Sequence, residues 1–249
     1  MEDLPQGQEA STSTAGAGSP GPVVQGEGDA PAPQLPSGLA AGASATLPEA
    51  FTTTRAVVLV PGKSLDQVMS VVEVLVQEGL DLISISCAGE ADLATLLSIY
   101  SFRATIGAHD VRSVSQAHSL VQAGAAFAIC TSPEPAALKI LCDAGVPVLM
   151  DALTPSEVIA AWQPGVAAVH VRPAHLLGRD YAGVLTELAP QTTLVPTADT
   201  NAMAEEWLSQ GATAVSLSSS VLSKVFISDD LSSLRQRAAD TVVMLKRHR

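Results

Sequence analysis

Residues 104–130 read ATIGAHDVRSVSQAHSLVQAGAAFAIC. An apolar run of strand length, Ala104–Gly107, opens this stretch, and another, Ala126–Cys130, closes it. Between them Ser113 stands where an N-cap hydroxyl satisfies free amide donors, and Gly124 stands where a helix ends in a left-handed residue. The unit is therefore strand, helix, strand, and it recurs in both directions along the chain. Strand-length runs lie at Ala56–Val60, Leu82–Ser86, Val146–Met150, Ala167–Val171, Thr193–Pro196 and Ala214–Leu217. The intervening stretches have helical spacing, as with Leu65, Val68, Val72, Leu75 and Val76 on one face. Gly79, Gly145 and Gly211 mark further helix ends, and Ser64 and Thr154 further starts, with Glu157 completing a capping box on Thr154. Eight strand-then-helix units of about 20 residues predict an α/β chain forming a single (β/α)8 TIM barrel. A doubly wound open sheet is the competing arrangement. It more often carries a Gly-rich phosphate turn directly after the first strand, and VPGKS (60–64) is not one, because Val57 stands where a P-loop needs its first Gly.

Composition agrees with a barrel. Of 249 residues, 47% are hydrophobic but only 3% aromatic, so the core must be built from Ala, Val, Leu and Ile, which suit buried parallel strands. A net charge of −12 opposes binding to nucleic acid or to an anionic membrane surface. Cys87, Cys130 and Cys142 form no C-x-x-C pair and read as buried, reduced thiols. The N-terminus has neither a basic n-region nor an apolar h-region, and no apolar run approaches the roughly 20 residues that span a bilayer. These features predict a soluble cytoplasmic protein. Residues 1–54 differ in composition from the rest: they are dense in Gly, Pro, Ala, Ser and Thr, and Arg55 is the first basic residue. Such a stretch cannot offset the entropy of ordering, so residues 1–54 are expected to be a disordered acidic tail and 55–249 the barrel. Trp162 and Trp207 are expected to pack between helices and barrel. The basic ending KRHR (246–249) is expected to fray in solvent while complementing the last helix's negative end.

The order of segments VVEVLVQEGLDLISIS (71–86), GAHDVRSVSQAHSLVQAGAAFAICTS (107–132), LKILCDAGVPVLMDALTPSE (138–157) and VHVRPAH (169–175) resembles a family of trimeric barrels. These are the 2-keto-3-deoxy-6-phosphogluconate (KDPG) and 4-hydroxy-2-oxoglutarate (KHG) aldolases. The resemblance covers nearly all of Ala56 to Lys224. It implies a lyase that releases pyruvate from 2-keto-3-deoxy (phospho) sugar acids, and a homotrimer. It also implies a strand-six lysine that forms a Schiff base, a strand-two glutamate that moves protons and an arginine that holds the carboxylate.

The sequence departs from that pattern where the chemistry is done. His170 matches the Schiff-base lysine, Ser84 the glutamate and Ala88 the arginine. The Gly-Gly after Thr197 reads Ala198-Asp199, and the strand-eight phosphate loop reads Ser218-Ser219-Ser220. Thr197 and Ser220 survive as matches for substrate or phosphate binding, whereas Asp199 would repel a phosphate. No other lysine takes over: Lys63 follows strand one, Lys139 lies in a helix, and Lys224 and Lys246 are C-terminal.

Residues at strand C-termini face the mouth of such a barrel. Those positions supply His109 and Asp110, Asp151, His170 with Arg172 and then His175, and Asp199. We take His170, His109 and Asp151 as candidate catalytic residues, and Thr197, Ser220 and Arg172 as candidate substrate-binding residues. No organic cofactor and no metal-binding motif is legible, although His and carboxylate groups from separate strands could hold a divalent metal that polarises a carbonyl. The alternative role is an acid–base pair, with His170 poised near neutral pH. Whether the chain is an enzyme stays open at this level. An aldolase-like lyase of a 2-keto acid or phosphosugar acid competes with a catalytically inactive barrel kept for binding or assembly, and with a barrel that anchors a partner-binding tail.

Overall fold

The computed structural model describes residues 46–89, 91–163, 165–177 and 180–248. The expected disordered tail therefore lies, up to residue 45, outside the described residues. Eight parallel strands close into a barrel in chain order: β1 (Ala56–Val60), β2 (Leu82–Ser86), β3 (Thr105–Val111), β4 (Ala128–Cys130), β5 (Val148–Ala152), β6 (Val166–Val171), β7 (Leu194–Ala198) and β8 (Val215–Leu217). The ring is sealed by β1 pairing with β8, with Val58 opposite Leu217. A short α1 (Ala50–Thr53) precedes β1. The outer helices are α2 (Leu65–Glu78), α3 (Leu93–Tyr100), α4 (Val114–Ala123), α5 (Pro135–Asp143), α6 (Pro155–Ala161), α7 (Tyr181–Leu188) and α8 (Asn201–Ser209). After β8 come α9 (Ser219–Leu222), α10 (Val225–Ser228) and α11 (Leu231–Leu245). This is the (β/α)8 barrel, not the open sheet.

Alternation along each strand divides the interior in two. Val58, Val60, Ile83, Ile85, Ile106 and Val169 join the helices' apolar faces in one large core, which also takes in Trp207 and packs Trp162 at its edge. The opposite set, Val57, Leu59, Leu82, Phe127, Ile129, Leu149, Ala168, Val195 and Ala214, forms a second core inside the ring. Phe51 of α1 belongs to that inner core, fully buried and edge-to-face on Phe127 with ring centroids 5.0 Å apart. The ordered barrel thus begins before Arg55, because α1 plugs the end of the ring that the strands enter. Gly107 lets Phe127 pack this closely, since a Cβ there would stand 2.5 Å from the Phe127 carbonyl oxygen and 2.6 Å from its ring.

Cap chemistry accounts for several helix boundaries. Ser113 with Gln116 and Thr154 with Glu157 form full capping boxes. Ser64 does not cap; its hydroxyl turns to Gln67 Oε1 at 3.2 Å. Gly79 and Gly124 end their helices at φ of 92° and 76°. Gly145 and Gly211 take positive φ one residue beyond the cap. Within the basic ending, where fraying was expected, Arg247 reaches Glu205 at 3.3 Å and the His248 carbonyl accepts from Arg55; Arg249 lies outside the described residues. Arg55 also donates to the carbonyls of Ala212 (2.8 Å) and Thr213 (3.2 Å), pinning both chain segments to the base of the ring. Among the described residues no helix is long and apolar enough to cross a membrane.

Candidate functional site at the barrel mouth

Toward the strands' C-terminal ends the inward positions turn polar. Ser84, Ser86, His109, His170 and Ser216 are all buried there. Pairing brings them level: Ser86 lies opposite His109, Asp151 opposite His170, and Thr197 opposite Ser216. Buried polar groups persist only when paired, and here each has a partner: Ser84 with His109, Ser86 with Asp110, and His170 and Ser216 in a chain of four residues. Thr131 donates to Asp151 Oδ2 at 2.5 Å, Asp151 Oδ1 lies 2.6 Å from His170 Nδ1, and His170 Nε2 lies 2.7 Å from Ser216 Oγ. In the neutral ring with its proton on Nδ1, that nitrogen donates to the carboxylate and Nε2 accepts from the serine hydroxyl. Ser216 has a second acceptor, the Pro196 carbonyl at 3.3 Å.

Above this chain lies an open cleft of about 300 Å3, bordered by Ser86, His109, Asp110, Arg172, Thr197 and Ser216 among others. Asp110 is held in the left-handed region at φ 60°, at the irregular pairing of β3 with β4. This backbone kink turns the Asp110 carboxylate toward the mouth directly after His109. It accepts from Arg172 at 2.9 Å and from Ser86 at 3.0 Å. Burial works to raise the Asp110 carboxyl, but the adjoining His109 and the bonds from Arg172 and Ser86 outweigh it and hold the group below the ordinary carboxylate range. His109 moves the other way. Burial pushes its ring down to about 4, against the pull of Asp110 and helped by the Arg172 charge. At neutral pH His109 is therefore uncharged, and its 3.7 Å approach to Asp110 is not an ion pair. Its Nδ1 meets Ser84 Oγ at 3.1 Å.

Each expected site residue can now be placed. His109 and Arg172 border the cleft, and His170 and Asp151 lie in the hydrogen-bonded layer that reaches the cleft through Ser216. Thr197 borders the cleft too, but its hydroxyl is engaged, accepting from the Ala174 amide at 2.9 Å and approaching the Val171 carbonyl at 3.3 Å. Ser220 is not brought to the cleft; Ser218 is, because the chain turns into α9 after β8 and carries Ser220 away. The Ser220 Oγ is buried without a partner. His175 and Asp199 meet at the rim, 3.3 Å apart. The sequence reading missed Thr131, and it placed Ser216 only within the strand-length run Ala214–Leu217. The signal that could have found both is parity: each stands two residues beyond an inward apolar residue, Ile129 and Ala214.

No lysine borders the cleft. Lys63 follows β1 on the mouth side but is exposed, and Lys139, Lys224 and Lys246 are exposed as well. Among the described residues no three His, Cys, Asp or Glu side chains gather as a metal site. Cys87, half-buried beside the mouth, is pushed up to about 11 by burial and by Asp110, and burial raises Cys130 as well, so neither offers a thiolate near neutral pH.

Comparison with known proteins agrees with this architecture. No curated protein matches the chain by sequence. Among solved structures, a 4-hydroxy-2-oxoglutarate/2-dehydro-3-deoxyphosphogluconate aldolase from TTHB1 superposes with a TM-score of 0.67 at 24% identity, over 78% of this chain and 96% of that one. The KDPG aldolase of Legionella pneumophila, captured with pyruvate as a covalent carbinolamine, gives 0.68 at 20% identity over 77% and 95%. The 3-hexulose-6-phosphate synthase of Salmonella typhimurium gives 0.61 at 13% identity over 78% and 100%. These likenesses speak to the fold. The sequence profile of the KDPG and KHG aldolases matches residues 48–236, the plugging helix and all eight strands included, and the chain belongs to that family.

Proposed function

We propose that this chain is a carbon–carbon lyase of small, unphosphorylated 2-keto acids that works without an imine. One observation carries the reading: the strand-six position that the resemblance matches to a lysine holds His170, fixed by Asp151 and connected to the cleft by Ser216. An imidazole cannot form the stable imine of a primary amine, but it can accept a proton. In a 4-hydroxy-2-keto acid, loss of the C4 hydroxyl proton lets the C3–C4 bond break. The electron pair passes to the C2 carbonyl oxygen, leaving an aldehyde and the enolate of pyruvate, which takes a proton at C3. Ser216 receives the substrate's proton as it hands its own to His170 Nε2, and Asp151 stabilises the resulting imidazolium. Arg172 is the cation at hand for the substrate carboxylate and the enolate charge.

Charge sets the substrate class. Asp110 and Asp199 border the cleft and Asp151 lies in the layer beneath it, and Arg172 already contacts Asp110 at 2.9 Å and Asp151 at 3.7 Å. A phosphate dianion entering here would meet net repulsion, so a monoanionic keto acid fits better than a phosphosugar acid. The test is pyruvate release from 4-hydroxy-2-keto acids, with and without divalent metal. We expect His170→Ala to lower it about 10²–10⁴-fold. No pyruvate under any metal condition overturns the lyase reading.

A second reading has its own support. His170 is fully buried with both ring nitrogens engaged, as in a barrel kept for binding alone. Under that reading, thermal shifts with pyruvate persist while no turnover is found. The family likeness also carries the expectation of a homotrimer, which sedimentation analysis tests; a monomer at micromolar concentration removes it.

A further inference from the structure

The hydrogen-bonded layer has the order of parts of a serine nucleophile's activating apparatus, and this holds whether or not the lyase reading survives. Asp151 from β5, His170 from β6 and Ser216 from β8 are linked at 2.6 and 2.7 Å, both within the range at which a base takes a hydroxyl proton. Thr131 holds the far carboxylate oxygen, so Asp151 is oriented from both sides. The alternative acceptor on Ser216, the Pro196 carbonyl, completes the proton accounting. With His170 neutral the hydroxyl points at Nε2; with His170 protonated, Nε2–H donates to the serine oxygen and the hydroxyl turns to the carbonyl. Both protonation states are therefore hydrogen-bonded without any movement of the backbone. Ser216, buried but for 1% of its surface, is among the residues that line the cleft, as is Arg172.

We propose that Ser216 is a covalent nucleophile and that the barrel transfers short acyl groups from uncharged esters to water. Ser216 Oγ bonds to the acyl carbon as its proton passes to His170 Nε2. The bond to the ester's alcohol or phenol oxygen breaks, and that oxygen leaves with the proton from Nε2. A water molecule, giving a proton to Nε2, then attacks the acyl carbon, releasing the carboxylic acid and restoring the serine. The cleft's size limits the acyl group to a few heavy atoms, and its carboxylates disfavour anionic esters. Neither the buried Cys130 nor Cys87 competes as a nucleophile.

The full chain is treated with diisopropyl fluorophosphate and mapped by peptide mass, and separately mixed with p-nitrophenyl acetate. We expect one diisopropylphosphoryl group on Ser216. We expect Ser216→Ala, which removes a single oxygen, to abolish the label and to lower p-nitrophenol release about a hundredfold or more. Asp151→Asn should slow both reactions at least about tenfold while circular dichroism stays native. Absence of the label from Ser216 in the folded protein, or unchanged p-nitrophenol release by Ser216→Ala, overturns the assignment. Because the readout is a mass on one serine, it is independent of pyruvate release.

Discussion

At the end of the barrel that the strands enter, the inward residues are Leu82, Gly107, Ile129, Leu149, Ala168, Val195 and Ala214, closed off by Phe51. Two residues further along the same strands stand Ser84, His109, Thr131, Asp151, His170, Thr197 and Ser216. Both layers face the same axis of the same ring, yet one is dry and apolar and the other is a hydrogen-bonded network that opens onto a cleft. Burying the first layer stabilises the fold through area removed from water, at about 25 cal/mol per Å2. Burying the second costs desolvation, which only mutual pairing offsets. A barrel needs its apolar layer to stand. The polar layer is explained by what happens at the mouth.

The contrast can be broken most forcefully from below. Phe51→Ala removes the plug and leaves Phe127 facing a void, and we expect a loss of about 3–5 kcal/mol in denaturant unfolding. Because the apolar layer has no titratable member, that loss should be the same at every pH. The upper layer should behave differently. His109 has a folded-state pKa of about 4, below its ordinary value of 6.5, so the unfolded chain binds its proton more readily. The associated stability is complete above about pH 6.5 and is lost as pH falls toward about 4. His109→Gln should flatten this part of the stability–pH curve, by on the order of 3 kcal/mol across the window. If the wild-type and variant curves stay parallel between pH 7 and 4, the ring is not held neutral by burial.

Smaller effects sharpen the same contrast. Thr131→Val keeps shape but removes the hydroxyl that holds Asp151, and we expect a loss of about 1 kcal/mol in stability and a several-fold drop in turnover. An unchanged rate would show that Asp151 needs no second anchor. Ser220→Ala should be neutral or stabilise by a few tenths of a kcal/mol, up to about 1, since its buried hydroxyl has no partner to lose. Destabilisation by this variant would mean that the hydroxyl is satisfied in solution.

The barrel itself was legible because eight apolar runs at regular spacing, punctuated by Gly79, Gly124, Gly145 and Gly211, leave few other ways to bury the chain. Strand limits at the mouth were less so. β3 runs to Val111 rather than ending at Gly107, because His109 and Asp110 look like loop residues until the kink at Asp110 and the pairing of Ser86 with His109 are seen. The plugging helix was hidden by its neighbours: Phe51 sits among Thr52, Thr53 and Thr54 after a long Gly/Pro/Ala-rich stretch, and composition averaged over the whole stretch outweighed one phenylalanine. His109, Asp151, His170 and Arg172 were found at strand ends, where barrel geometry places the mouth. Their partners were not: parity places Ser216 and Thr131 facing inward, but the contacts that give them a role cross four strands. Ser220 was carried over by resemblance, and the turn into α9 takes it away from the cleft.

The central claim is that the mouth works through the Asp151–His170 pair and not through an amine. The direct measurement is pyruvate release from fresh 4-hydroxy-2-keto acid by protein that has been incubated with pyruvate, with or without sodium borohydride, and then freed of both, with the intact mass of the protein read at the end. We predict turnover that borohydride leaves unchanged and a protein of unaltered mass. Borohydride-dependent inactivation, with a reduced pyruvate adduct on any of Lys63, Lys139, Lys224 or Lys246, would contradict it.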